Sequence, residues 1–275
     1  MERRPALPYP PLMQTRSIGE HLRDWRQRRR LSQLDLALEA EISTKHLSFL
    51  ETGRAQPSRD MVLRLAEELD VPLRERNVLL VSAGYAPVFS QRALDDPALQ
   101  AARKAVDLVL KGHEPYPAIA IDRHWHLVAH NAAVGPLIAS AAAKLLEPPV
   151  NVLRLSLHPE GLASRIENLG EWRAHLLARL RQQIDATADA TLSKLLDELA
   201  AYPAPGGAKA ARANVTSDYG GVVVPLRFRS EAGTLSLFST TTIFGTPVDV
   251  TLAELAIESF FPADAATAEL LRRMA

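Results

Sequence analysis

Residues 32–58 read SQLDLALEAEISTKHLSFLETGRAQPS. Ser32 and Ser43 each stand one residue ahead of a short helical pattern, where a serine oxygen can accept from the first exposed amides. The patterns run from Gln33 to Ala40 and from Thr44 to Thr52, and Glu41-Ile42-Ser43 is a tight three-residue connection between them. Gly53 falls where the second pattern should stop. At about 100° per residue, Leu47 and Leu50 share one side of the second pattern, and Lys45, Ser48 and Phe49 cluster on the other.

Working outward, Ser17-x-x-Glu20 is a capping-box signature that opens a helix with Leu22 and Trp25 on its apolar face. Pro57-Ser58 starts another helix, with Val62, Leu65, Ala66 and Leu69 at i, i+3, i+4 and i+7. Pro72 separates a fifth, near Arg74 to Ala83. Residues 17–85 therefore read as a compact all-α domain built around a helix-turn-helix over Gln33 to Gly53. The segment resembles the Cro/phage-repressor class, the XRE-family regulators. The resemblance rests on Ser32-Gln33, Ala37, Ile42, Leu47, Leu50-Glu51-x-Gly53 and Pro57-Ser58, and covers about residues 18–70. Where that family has a turn glycine this chain has Glu41, which must then accept a positive φ at a cost of about 1 kcal/mol. The resemblance also implies a partly buried ion pair between Arg26 and Glu51, which fixes geometry more surely than it stabilises.

An exposed cation, hydroxyl and aromatic on one helix suit a major-groove probe. Lys45 can donate to guanine O6 and N7, Ser48 can pair with several base edges, and Phe49 can touch a thymine methyl or pack locally instead. Thr44 lies at the helix start, which enters the groove first. Ser43 and Gln33 are placed to meet phosphates, and Arg54 and Arg59 flank the helix as backbone contacts. The run Arg28-Arg29-Arg30 reads either as a phosphate contact or as a solvated helix end that favours cations.

Composition narrows the partners. The 275 residues carry 32 Lys and Arg against 32 Asp and Glu, 47% are hydrophobic, and cysteine is absent. A chain so apolar is not disordered, and without cysteine it has no disulfide framework, thiolate metal site or cysteine nucleophile. Residues 1–60 hold 11 cations and 8 anions, a surplus of three that the remainder offsets. That balance excludes a polybasic arm and leaves room for a focused basic surface. No apolar run is long enough to span a bilayer and the start has no signal-peptide core, so a cytoplasmic protein with no membrane partner is expected.

Residues 1–16 read as an irregular tail, residues 86–97 as a connector and residues 98–275 as a second domain. A helix over Ala98 to Lys111 leads into an alternating hairpin, Ala118 to Asp122 and Trp125 to Ala129. Residues 132–145 are Ala-rich and helical, and Glu171 to Ala201 is helical in two pieces. A flexible loop over 203–214 follows. Val222 to Phe228, Thr234 to Ile243 and Leu252 to Phe260 then read as strands. Gly245-Thr246-Pro247 reads as a turn and Ala265 to Arg273 as a terminal helix.

This domain resembles the PAS-like ligand-binding domain of MmyB-like regulators. The matching stretches are Pro117 to Asp122 with Trp125 through Asn131, Asn151 to Arg154, Glu171-Trp172-Arg173, Phe244-Gly245-Thr246-Pro247-x-Asp249 and Phe260-Phe261-Pro262. The resemblance implies an α+β fold: a five-stranded antiparallel sheet with helices across one face, enclosing an apolar cavity suited to a fatty acid or similar lipophile. Ile119, Ile121, Leu226, Phe228, Leu235, Leu237, Leu255 and Ile257 alternate with period two and are the candidate ligand contacts, though periodicity alone equally describes a filled core.

His113, His124, His126 and His130 fall within eighteen positions, and His124 and His126 would share a strand face. With no second ligand pair in the sequence, neither a metal site nor a cofactor is expected. His158 and His175 read as ordinary polar contacts. There is no Walker loop, G-x-S-x-G or H-E-x-x-H, so an enzyme is not expected. Three readings compete: a DNA-binding regulator, dimeric on double-stranded operator DNA and biased by a small apolar ligand; a regulator whose large domain serves only dimerisation or protein contact; and an enzyme with a DNA-binding appendage.

Overall fold

A computed structural model of the chain describes residues 16–203, 223–244 and 249–274. The expected tail, apart from Arg16, the 203–214 loop beyond Pro203 and the Gly245-Thr246-Pro247 turn lie outside the described residues. The chain forms two compact units, divided between Ser90 and Gln91.

The first unit is five helices: α1 (Ile18–Arg28), α2 (Gln33–Glu39), α3 (Thr44–Glu51), α4 (Arg59–Glu68) and α5 (Leu73–Ser82). Four begin at a serine, Ser17, Ser32, Ser43 and Ser58, whose oxygen accepts an amide of the first turn. Ser17 with Glu20 and Ser32 with Asp35 close reciprocal capping boxes. Leu22, Leu36, Leu47, Leu50, Leu65 and Leu79 are fully buried, so one apolar stripe from each helix meets at a single core. Gly19 lets α1 and α3 approach closely: a Cβ there would lie 2.5 Å from the Leu50 carbonyl oxygen. Glu41 adopts φ 53° in the turn between α2 and α3. The strain expected of a side chain at that position is therefore present.

In the second unit α6 (Gln100–Gly112) precedes the hairpin of β1 (Ala118–Ile121) and β2 (Leu127–His130). Four short or medium helices follow: α7 (Gly135–Ile138), α8 (Ala143–Leu146), α9 (Val152–Leu157) and α10 (Leu169–Thr187). Next come α11 (Ala190–Ala201), β3 (Leu226–Ser230), β4 (Gly233–Ile243), α12 (Val250–Ala253), β5 (Ala256–Pro262) and α13 (Ala265–Met274). The sheet is antiparallel throughout, in the order β2-β1-β5-β4-β3. Ala188 in the left-handed conformation breaks α10 from α11, and Asp189 caps the new helix through the Thr191 amide. Asn131 is buried and spends its whole amide: it donates to the Leu110 and Tyr116 carbonyls and accepts from the Ala118 amide.

Several expectations are corrected. The strand placed at Val222 to Phe228 begins only at Leu226, with residues 223–225 irregular and Val222 outside the described residues. Leu252 lies in the helical turn α12, because buried Asp249 caps that turn through the Thr251 amide and pairs with Arg92. The helix read across 132–145 is a 3-10 turn running into one short helix and, after a break at 139–142, a second short helix. Helices cover both sheet faces and not one. On one face Ile119, Phe228, Leu235 and Leu237 pack under α9, α10 and α11; on the other, Ala118, Ala120, Leu255 and Ile257 pack with Val106 and Leu110 of α6.

Candidate functional site

In the first unit, α3 is aimed from behind. Glu51 at its last position is buried and accepts from Arg26 Nε at 2.6 Å, Arg26 Nη2 at 2.9 Å and Gln33 Nε2 at 2.8 Å. These bonds fix α3 to α1 and α2, and the hydrogen bonds from Arg26 to Glu51 raise the guanidinium's pKa further. Gln33, read as a phosphate contact, thus has its amide nitrogen committed to Glu51. Ser43 Oγ accepts from the His46 amide at 3.1 Å as the cap of α3. Thr44 is half-buried beside it.

Lys45 stands exposed on the opposite side, with Ser48 and Phe49 half-buried next to it. Lys45 Nζ lies 5.6 Å and Arg54 Cζ 5.9 Å from the Phe49 ring centroid, so the aromatic carries a cation on each side. Arg59 is exposed at the first position of α4. In the Arg28-Arg29-Arg30 run, Arg29 turns inward: Nε donates to the Leu69 carbonyl and Nη2 to the Asp70 carbonyl, each at 2.8 Å, and the guanidinium rests on Trp25. It closes the C-terminal end of α4.

In the second unit, a cavity of about 120 Å³ lies between the sheet and the helices. Its floor is Ile119, Leu226, Phe228, Leu237 and Phe260, and its roof includes Leu153, Trp172 and Leu176. Of the eight candidate contacts, Ile119, Leu226, Phe228 and Leu237 line this cavity. Ile121 and Leu235 belong to the same core outside its wall, and Leu255 and Ile257 lie on the α6 face. Strand alternation puts Glu258 opposite Ile119, so the face holding Ile257 and the face holding the cavity are different ones. The sequence reading missed Trp125, Trp172 and Glu258; the last could have been found as the one charge in the strand Ala256–Pro262.

Glu258 and Ser156 are the polar side chains of the wall besides the indoles. Ser156 Oγ accepts from Trp172 Nε1 at 3.0 Å. Glu258 is 4% exposed and is held by Arg179 and by Thr241 Oγ1. A second, more polar cavity of about 290 Å³ shares Trp125 and Glu258 with the first and adds Arg179, Gln182, Gln183, Arg123 and Thr241. Burial, and then the charge of Arg179, lowers His175 below the ordinary histidine range.

The histidines take separate roles. His124 and His126 lie in the turn ahead of β2. Asp122 accepts from both of their amides at 2.8 Å, and its other oxygen is 3.0 Å from His126 Nδ1. His124 Nε2 is 2.9 Å from Asp189 Oδ2. Asp122, His124 and His126 could bring one ligand atom each within 4.8 Å of one another, yet each of these side chains already ties the hairpin or joins it to the start of α11. His113 Nε2 faces the Phe260 carbonyl and His130 Nδ1 the Asn131 carbonyl.

Comparison with known proteins covers both units. Residues 22–76 match the helix-turn-helix family, and residues 102–274 match the family described as MmyB-like transcription regulator ligand binding domain. Neither describes an enzyme. No curated protein matches. One solved structure, of an RNA-binding Light-Oxygen-Voltage receptor, aligns at 12% identity over 94% of this chain with a TM-score of 0.27, too low to bear on the fold. The chain spans 64% of that structure's length. No helix among the described residues is long and apolar enough to cross a membrane. With one match extending across most of the sheet-containing unit and another across the five helices, the chain belongs to the MmyB-like transcription regulators, with a helix-turn-helix ahead of the ligand-binding domain.

Proposed function

We propose that the protein binds operator DNA as a homodimer and that a small lipophile of fatty-acid type, held in the second unit, biases that binding. The single observation that carries the reading is an apolar cavity between the sheet and its helices, in the same chain as a recognition helix whose outer face is Lys45, Ser48 and Phe49. In this reading Lys45, Ser48 and Phe49 meet base edges, Thr44 enters the groove first, and Ser43, Arg54 and Arg59 meet phosphates, with Gln33 adding the second hydrogen of its side-chain amide. One short module binds modestly; paired half-sites about one helical turn apart supply the rest, which is the reason for a dimer. Ile119, Leu226, Phe228 and Leu237 contact the lipophile.

Native mass spectrometry of the purified chain tests both halves. A dimer mass with co-purifying or added lipophile is expected. A clean mass that takes up none leaves the second unit as a dimerisation or protein-contact domain. Binding of promoter fragments no tighter than scrambled competitor, with and without amphiphile, would end the DNA reading.

A further inference from the structure

The turn from β1 to β2 carries more polar chemistry than a turn requires. Asp122 Oδ1 alone makes it, accepting from the His124 and His126 amides at 2.8 Å each. Any residue but proline supplies those amides, so the turn has no use for the two imidazoles. Between them Trp125 adopts φ 65°, a conformation rare for a bulky residue, and its indole is buried in the core. Asp122, His124 and His126 stay half-buried on the outer side, where an ion from solvent can reach them. They offer one ligand atom each, all within 4.8 Å of one another.

The hydrogen bonds that tie these side chains also hold them as metal ligands are held. Asp122 Oδ2 is 3.0 Å from His126 Nδ1. Two ligands at about 2.0–2.1 Å on a tetrahedral zinc ion stand roughly 3.3 Å apart, so little movement is needed there. His124 Nε2 is 2.9 Å from Asp189 Oδ2. A carboxylate on one imidazole nitrogen is the usual support of a ligating histidine, since it fixes the ring and makes the other nitrogen a better donor. Each imidazole spends one nitrogen in this way, and the other makes no hydrogen bond among the described residues. Charge agrees. The carboxylates of Asp122, Asp189 and Glu254 stand around the turn with the guanidinium of Arg123, which lies 3.4 Å from Asp189 and 3.8 Å from Glu254. That surplus of anions favours a divalent cation.

We propose that Asp122, His124 and His126 form a site for a divalent transition-metal ion of zinc type, with Asp189 positioning His124. Two imidazoles and one carboxylate suit zinc, nickel or cobalt, whereas magnesium and calcium take oxygen ligands. A fourth position is left to water. Asp189 caps α11, so the ion pins the β1–β2 turn to the start of that helix. Sequence spacing conceals the arrangement, because Asp189 lies 65 residues beyond His124. The site is independent of the apolar cavity and of DNA binding.

Titration calorimetry of the full chain, stripped with chelator and then given Zn2+, tests this. One ion per chain is expected, held at least about tenfold more tightly than Mg2+. His124→Gln and His126→Gln are each expected to weaken Zn2+ binding by about a hundredfold or more, and His130→Gln to leave it unchanged. Asp189→Asn keeps an oxygen to accept from the Thr191 amide, and is expected to weaken binding roughly 10–100-fold. No uptake of Zn2+ by the wild type, Mg2+ held as well as Zn2+, or an affinity that survives His126→Gln would overturn the site. Unchanged affinity in Asp189→Asn would overturn the role of Asp189. Should the variants fail to fold, Co2+ added to the wild type decides: the strong visible absorption of a four- or five-coordinate ion supports the site, and the faint bands of a six-coordinate one overturn it.

Discussion

Glu51 shows how one side chain can set the aim of a helix. It accepts from three donors on two other helices while almost fully buried. Truncation leaves Arg26 with only the Leu31 carbonyl for its charge and strands the Gln33 amide, so Glu51→Ala is expected to cost about 3 kcal/mol in urea denaturation of the full chain; a loss below about 1 kcal/mol would show the pair to be dispensable. Lys45→Ala should weaken operator binding by roughly 1–3 kcal/mol and relax the choice of base at one position. Arg54→Ala should weaken all sequences alike and reduce the salt slope by about one, read by anisotropy titrations at several salt concentrations. Leu47 and Leu50 facing inward and Lys45 facing outward were legible, because helical periodicity is local. The role of Arg29 was not, since its partners at Leu69 and Asp70 lie forty residues away in the chain.

Elements here are delimited by short polar side chains, and those signals are readable in advance. Ser17, Ser32 and Ser43 each cap the helix expected of them. Strand ends were less legible. Asp249 as the cap of a helical turn competes with the apolar alternation that continues through Leu252, and the cap wins because its carboxylate is buried against Arg92. Leu255 and Ile257 were assigned to the wrong face because both faces of a central sheet are covered, and alternation does not say which is which. Gly19→Ala tests the closest helix contact: the new methyl would press on the Leu50 and Glu51 carbonyls, and about 2 kcal/mol or more of stability should be lost, with operator affinity falling as α3 shifts. Acid tests the α10–α11 junction. Burial acts to raise Asp189, but hydrogen bonds from His124 and the Thr191 amide outweigh it and hold the carboxyl below its usual range; Arg154 does the same for Glu198. Folded pKa values below the unfolded ones, about 3.9 and 4.3, mean a stabilisation complete above roughly pH 5 and lost as pH falls through the folded values. These two carboxylates should therefore contribute a fall in stability below about pH 5, beneath the earlier fall near pH 6.5 from His175, whose lowered pKa favours its neutral form in the folded chain, and Asp189→Asn should flatten part of the fall below pH 5 only.

At the scale of the whole molecule, two sequence resemblances matched two compact units, and the cavity between sheet and helices was the property least open to sequence. Apolar alternation predicts a buried face equally well whether the helices close on it or stand off. If occupancy of the cavity and occupancy of the operator are linked, decanoate must shift operator affinity, and operator DNA must shift decanoate affinity by the same factor. Anisotropy and calorimetry measure the two arms, and no shift in either would mean that binding carries no signal. Asn131 bears on how such a signal could leave the sheet. Its amide rivets the last turn of α6 to the first residue of β1, and α6 is the first long helix after Gln91, so the polypeptide linking sensor to reader passes through it. Any displacement of the start of β1 is therefore shared by the last turn of α6, the helix that the chain enters on its way in from the first unit.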